Sequence, residues 1–497
     1  MKFLLFLLLL ATPEKIHVLY STLDLSSISQ HLAFATLYPE SPEGHLALEH
    51  AWKLMSGPFY KAVPAQIPLQ TLSRLVALVN QTGGGELEPL PSSILQMIEQ
   101  TAQTLPNRQL AGYRAQTLAE VIALPPEQID LARGLFLSEL GEDKWPLLKT
   151  YEAQLDLMAL QIKARLKTNA SLFEKVAAIN AFVFDEMGFR FPPHSAYAKD
   201  IDLYTFLPSV LDSRRGVCLG VSILYICLAQ RLDLSLEMVT PPGHIFVRCP
   251  TPQGPINIET TARGVHLESE VYLGIDTPSL EQRNVKEVIG LAHFNQASVY
   301  LQKEDYAQAV TCYARAEPFL PDDFLLQMLS SFSMILSDQE TAARPRLEKL
   351  REVKPPHSLA PESMIADYLD GYVGKEGLEA FFKPVDEDRI SIEKKKALLE
   401  DVVQRHPRFR SGLMALATCW LQLHREGEGL DILLRLDQIE SQDATLQYYL
   451  AVLHAQRIDY PRAWHHYQKT HALLTQVNHN PRALRDFKRE LSLLSPE

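Results

Sequence analysis

Apolar residues recur at three- and four-residue intervals over Leu46 to Met55, Leu69 to Val79, Ile94 to Leu105 and Gln116 to Ile122, a spacing that predicts amphipathic helices through residues 14–140. Pro68, just before the second of these, suits a helix start, and Glu127 to Leu140 predicts a further helix. Gly83-Gly84-Gly85, with Pro89 and Pro91 behind it, reads as a linker loop. It lacks the preceding strand and the following Lys-Ser/Thr that a phosphate loop needs. Leu148, Tyr151, Leu155, Met158 and Ile162 form one stripe of a helix over Leu147 to Leu166. Leu172 to Met187 predicts another, capped by Asn169 or Ser171. Phe189 to Asp202 reads as a polar and aromatic loop with His194 and Tyr197, and Tyr204 to Leu211 as a short helix interrupted by Pro208.

The period then changes. Val221, Leu224, Tyr225 and Leu228 predict a helix whose first turn holds Cys218, behind the loop Asp212 to Val217. Leu234 to Thr240 alternates like a strand, and Pro241-Pro242-Gly243 is a tight turn. His244 to Cys249 is a second strand with His244 at its start, and Pro250 to Pro255 is a turn. Ile256 to Thr260 is a third strand, with Asn257 and Glu259 on one face and the isoleucines on the other. A helix start favours an anion through its unpaired N–H groups and its dipole, and cysteine thiols there titrate at roughly 3.5–7.5. A cysteine on a helix start, a histidine on one strand and a polar partner on the next is the order of a Cys-His-acid site, in which the base takes the thiol proton and a third group orients the base. The candidate nucleophile is Cys218, the candidate general base and then acid is His244, and the third place is open between Glu259 and Asn257. Arg215 is expected to anchor the loop, and the Cys218 backbone N–H to supply one oxyanion donor. Cys227, Cys249, Cys312 and Cys419 read as core.

Val210-Leu211, Arg215-Gly216, the run Ser222 to Leu232, Pro242-Gly243-His244-Ile245-Phe246-Val247-Arg248, and Ile258-Glu259 with Gly264 behind it resemble the transglutaminase-like superfamily, most closely its SirB-type branch. The resemblance covers roughly residues 145–275 and implies an α+β, papain-like core with Cys218, His244 and Glu259 as catalytic residues. Many SirB-type members have lost the cysteine, whereas this chain keeps it at position 218; the family's Asp is here Glu259, one methylene longer.

From about Asn284 the pattern becomes one of helix pairs. His293 to Tyr300, then Asp305-Tyr306, Ala309, Tyr313, Ala316 and Pro321, resemble a tetratricopeptide repeat, with His293 and Ala297 where the family has tryptophan and glycine. Leu416, Ala417, Trp420 and Gly429, and then Leu450, Ala451, Ala463 and Tyr467, echo it. Between them Thr341 to Val385 is helical with a break at Pro355-Pro356, and Lys394-Lys395-Lys396 reads as a solvated charged face. Residues 285–497 are therefore expected to be an α-helical solenoid whose curved surface takes a protein segment. With only Leu267 to Arg283 in between, the array is expected to pack directly on the core, and truncation after about Leu280 to spare the Cys218 pocket.

Composition narrows the picture further. At 497 residues the chain is long enough for several domains: 1–13 a candidate signal or anchor segment, 14–144 helical, 145–280 the transglutaminase-like core and 285–497 the repeats. A net charge of −12 argues against a nucleic-acid partner. Five cysteines without a CxxC pair suggest neither a disulfide framework nor a zinc site, and no cofactor is implied. Phe3 to Ala11 is too short to span a bilayer. With Lys2 before it, the run resembles a secretory signal, but Leu9 spoils the cleavage site, so export and a cytoplasmic place both remain open. Two functions fit: a cysteine-dependent amidase, protease or acyltransferase working through a thioester, and a non-catalytic interaction scaffold on a vestigial core.

Overall fold

The helix Trp145–Ala164 is buried on every side, from Thr150 without a break to Ile162, so the single apolar stripe understates it. Its buried carboxylates are ion-paired. Arg133 donates to Glu152 at 2.9 Å, and Arg231 to Asp156 at 2.8 Å, with Arg108 also on Asp156. In this computed structural model the described residues are 12–56, 69–79, 87–192, 204–355, 357–359, 362–386 and 388–496. The expectations placed on Phe3 to Ala11, Pro68, Gly83 to Gly85, His194, Tyr197 and Pro356 lie outside them. No helix among the described residues is long and apolar enough to cross a membrane.

Around the buried helix pack Pro42–Ser56, Ser92–Ala102, Leu131–Leu140 and Cys218–Arg231. Leu172–Asn180 starts from a full capping box at Ser171 and passes into a π-helical turn, Ala181–Glu186. Pro208 does not interrupt its helix. It lies in the first turn of Leu207–Ser213, where a missing N–H costs nothing. Arg214, in the left-handed region at φ 55°, ends that helix, and the chain runs past Arg190 into the helix Cys218–Arg231.

Four short strands form an antiparallel sheet in the order β3-β2-β1-β4: β1 Glu237–Val239, β2 Phe246–Cys249, β3 Ile256–Ile258 and β4 Gln282–Arg283. β1, β2 and β3 are shorter than their sequence patterns, and β4 falls in the stretch read as a connection. Register pairs Val247 with Met238 on one side and Ile258 on the other, and these face the core. β2 packs on the helix Cys218–Arg231.

Antiparallel helix pairs follow: Val285–Gln302 with Tyr306–Ala316, Phe324–Leu336 with Glu340–Leu350, Arg410–Gln422 with Glu426–Asp437, and Ala444–Gln456 with Tyr460–Gln476. The first pair sits directly on the helix Leu131–Leu140. His293, 4% exposed, bonds Ser138, and Ile289 lies where a side chain on Gly134 would be. Burial lowers the His293 imidazole to about 4, so it is a neutral packing group. Lys396 is not simply solvated: its ammonium lies 4.2 Å from the Trp420 ring centre. At the far end, the helix Arg482–Leu494 returns to the core. Leu484, Phe487 and Leu491 share an apolar cluster with Trp464 and with Ile275, which belongs to the segment just after β3.

Candidate active site

Cys218 is the first residue of its helix, and the residue before it, Val217, has no side chain that caps the first turn. The backbone N–H groups of that turn are therefore left to face an anion at the thiol. Tight packing fixes where the helix begins. Gly220 lies against the Tyr204 carbonyl so closely that an added Cβ would sit 2.3 Å from that oxygen. Of the five cysteines, Cys218 alone is not buried. Burial pushes up the thiols of Cys227, Cys249, Cys312 and Cys419.

His244 is not the first strand residue but closes the turn ahead of β2. Its N–H donates to the Pro241 carbonyl at 3.1 Å, with Gly243 at φ 72° supplying the left-handed position and Pro242 the one before it. The turn aims the imidazole at two partners. Its Nε2 lies 2.6 Å from Glu259 Oε2, and Cys218 is near enough to favour its charged form. Cys218 first and the Glu259 bond second hold the proton on, against partial burial, and push the imidazole up to about 10.

Glu259 stands one residue past β3, bridged to Val265. Both of its oxygens are satisfied: Oε1 accepts from the Thr261 hydroxyl at 2.7 Å, and Oε2 from the Tyr272 hydroxyl at 2.8 Å besides His244. Burial pushes this carboxyl up, but the bonds from His244, Thr261 and Tyr272 outweigh it and leave the group below the ordinary range. Asn257, the alternative third member, is engaged elsewhere. Its carbonyl accepts from Arg248 at 2.9 Å, and its amide donates to the Leu267 carbonyl at 2.7 Å and to Ser269 at 3.0 Å. Arg215 shares a backbone bridge with Arg190, as a loop anchor. Among the described residues no group of three or more His, Cys, Asp and Glu is placed to hold a metal.

Two residues escaped the sequence reading. Ser222, one turn after Cys218, shares a 2.9 Å hydrogen bond with Thr260, one residue after Glu259, and so ties the helix to the third strand. Tyr272 lies in the stretch read as a connection. Its ring stacks on Phe246 at 4.4 Å and beside His244 at 5.9 Å. The signal available was a lone aromatic amid the polar run Glu268-Ser269-Glu270, too weak to single out without the fold.

Residues 149–283 match the transglutaminase-like superfamily. The matched span contains Cys218, His244, Glu259 and Tyr272. Two proteins described as UPF0162, from Xylella fastidiosa strains Temecula1 and 9a5c, are each 26% identical over 164 residues, covering 30% of this chain and 57% of theirs. The chain thus spans less than two thirds of the length of these relatives. Among solved structures, a thermophilic tetratricopeptide-repeat protein of Thermus thermophilus is 15% identical, covering 41% of this chain and 98% of its own, with a TM-score of 0.21. The Cut9–Hcn1 hetero-tetramer is 11% identical, covering 94% of this chain and 83% of that one, with a TM-score of 0.22. Likenesses this slight decide nothing about the array, whose description stands on its own helix pairs.

Proposed function

We propose that the chain is a SirB-type transglutaminase-like protein that has kept its nucleophile, with a papain-like core at residues 145–280. In this reading Cys218, His244 and Glu259 carry out thioester-mediated amide hydrolysis or acyl transfer. The observation that carries it is the 2.6 Å bond from His244 Nε2 to Glu259 Oε2, with Cys218 near the imidazole at an uncapped helix start. With Nε2 given to the carboxylate, Nδ1 is the nitrogen left for the thiol. The Cys218 sulfur attacks an amide carbonyl, its proton having passed to His244, and the first-turn N–H groups receive the oxyanion. The imidazolium then protonates the leaving amine, which departs as the thioester forms. Water or a second amine, giving a proton to His244, attacks the thioester, and the thiolate leaves.

The repeats, residues 285–497, take a protein segment in this reading. One groove suited to it, of about 480 Å³, lies between the helices Arg389–Arg405, Arg410–Gln422 and Glu426–Asp437. Its floor of Val403, Leu416, Trp420 and Ile432, flanked by Glu428 and Asp431, suits an apolar anchor beside a basic residue.

Iodoacetamide labelling of the whole chain across pH, read by intact mass, tests the proposal. The enzyme reading expects Cys218 to react selectively well below roughly pH 8.5, where an ordinary thiol is protonated. Reaction no faster than at the four buried cysteines would leave the scaffold reading in its place.

A further inference from the structure

The segment after β3 is held at both ends. Near the sheet, Ser269 is bonded by Arg248 at 3.1 Å and by Asn257 at 3.0 Å. On both sides of Tyr272 a second grip comes from the far end of the array. His479 donates to the Gly274 carbonyl at 2.8 Å, and Arg485 pairs with Glu270. Ile275, 7% exposed, is packed among Trp464, Leu484, Phe487 and Leu491. Among the described residues no hydrogen bond or ion pair runs from 444–494 to Cys218, His244 or Glu259. These C-terminal helices meet the neighbourhood of the centre at the Tyr272 loop.

We infer that Tyr272 is a positioning residue of the Cys218–His244–Glu259 centre and that the C-terminal helices set it by gripping the loop on which it stands. The inference rests on the catalytic reading above. The Tyr272 hydroxyl and the His244 ring share one carboxylate oxygen, and the tyrosine ring is stacked nearly parallel with both His244 and Phe246, so the loop bears on both the carboxylate and the imidazole it holds. The titratable groups facing Glu259 are His244 from the turn, with Cys218 behind it from the helix start, and Tyr272 from the loop. Arg248 is taken up by Asn257 and Ser269, and Glu270 by Arg485. Removing the tyrosine hydroxyl deprives the carboxylate of a donor, so it takes up a proton at higher pH. Once neutral it no longer holds the imidazolium, and the thiolate loses its counter-ion. The acid limb of thiol reactivity then moves to higher pH, while the plateau at high pH is unchanged.

The experiment is the rate of Cys218 alkylation by iodoacetamide in the full chain between about pH 4 and 9, for the wild type, Tyr272→Phe, Ile275→Ala and Leu433→Ala. Tyr272→Phe keeps the stack and loses only the bond. Leu433 is a fully buried array residue in Glu426–Asp437, outside the cluster around Ile275. At the wild-type midpoint, Tyr272→Phe is expected to react about twofold to fivefold more slowly, a shift of about half to one pH unit. Ile275→Ala is expected to move the same way by less, and Leu433→Ala to lower the melting temperature with the limb in place. A Tyr272→Phe limb that coincides with the wild type overturns the positioning role and leaves the catalytic reading standing. A limb shifted equally by Leu433→Ala, or unshifted by Ile275→Ala, overturns the part assigned to the array. A wild type with no reactive thiol at low pH overturns the catalytic reading itself and this inference with it.

Discussion

The hydroxyls of Ser222 and Thr260 lie 2.9 Å apart in the buried interface between the helix of Cys218 and the strand end of Glu259. Ser222 is on the same helix face as Cys218, one turn on, and Thr260 is the neighbour of Glu259, so this bond sets the register between Cys218 and Glu259. Ser222→Ala leaves the Thr260 hydroxyl buried without its partner, a cost of about 1–3 kcal/mol. Adding Thr260→Val removes both polar groups and is expected to cost less than the sum of the single changes. Urea unfolding of the two single variants and the double variant measures this, and strict additivity would show that the two hydroxyls do not interact.

The elevation of the His244 imidazole has a signed consequence for stability. Its folded value of about 10 stands above the ordinary 6.5. The stabilisation from its proton is complete below about 6.5 and is lost as pH rises from there to about 10. Glu259, held below its ordinary 4.5, contributes above that value and loses its share as pH falls through the folded one. The melting-temperature gap between the wild type and His244→Ala is therefore expected to be widest between about pH 4.5 and 6.5 and to narrow toward pH 10. A gap that widened on going from pH 7 to 10 would contradict the ion pair.

Asp156 is the shared acceptor of Arg231 and Arg108 inside the core, on the helix with no exposed face. Asp156→Ala strands two guanidinium groups and is expected to cost about 3–5 kcal/mol, read as a lower urea midpoint. A loss under about 1 kcal/mol would mean that the site is hydrated and not sealed.

Gly220 and Gly427 are both helical glycines, in opposite surroundings. A Cβ at Gly220 meets the Tyr204 carbonyl oxygen at 2.3 Å, whereas at Gly427 the nearest atom is an Arg457 side-chain nitrogen at 3.6 Å. Gly220→Ala is expected to push the helix start off the Tyr204 segment, lowering both the melting temperature and the low-pH reactivity of Cys218. Gly427→Ala gains helix propensity, up to about 1 kcal/mol, and leaves Cys218 unaffected.

The helix order and the three candidate residues were legible because helix starts, prolines and period-two alternation are local signals: Cys218 behind Gly216, His244 behind Pro-Pro-Gly, Glu259 in an alternating run. What separates Glu259 from Asn257 is not local. Both share a strand face, and the choice is made by Arg248 and Ser269, which occupy Asn257, and by the turn that aims His244 at its neighbour. The uniform burial of Trp145–Ala164 was hidden because Glu152 and Asp156 read as an exposed face, and their arginine partners are far along the chain. Tyr272 was illegible because its ring stack on Phe246 and the contacts that hold its loop, Arg485 with Glu270 and His479 with Gly274, are not local in sequence.

Two contacts that steady the Tyr272 loop join residues 215 and 205 positions apart, Arg485 with Glu270 and His479 with Gly274. A ribosome adding about 5–20 residues per second leaves the nucleophile, base and acid emerged for on the order of 10–40 seconds before their final brace exists. Through that interval the Tyr272 loop lacks its partners from the far end of the chain. A chain cut short during synthesis lacks the two partners, Arg485 and His479, that hold the Tyr272 loop from the far end. Nascent chains stalled short of residue 479 are expected to show Cys218 alkylation with the acid limb displaced upward, and those released at full length to show the wild-type curve.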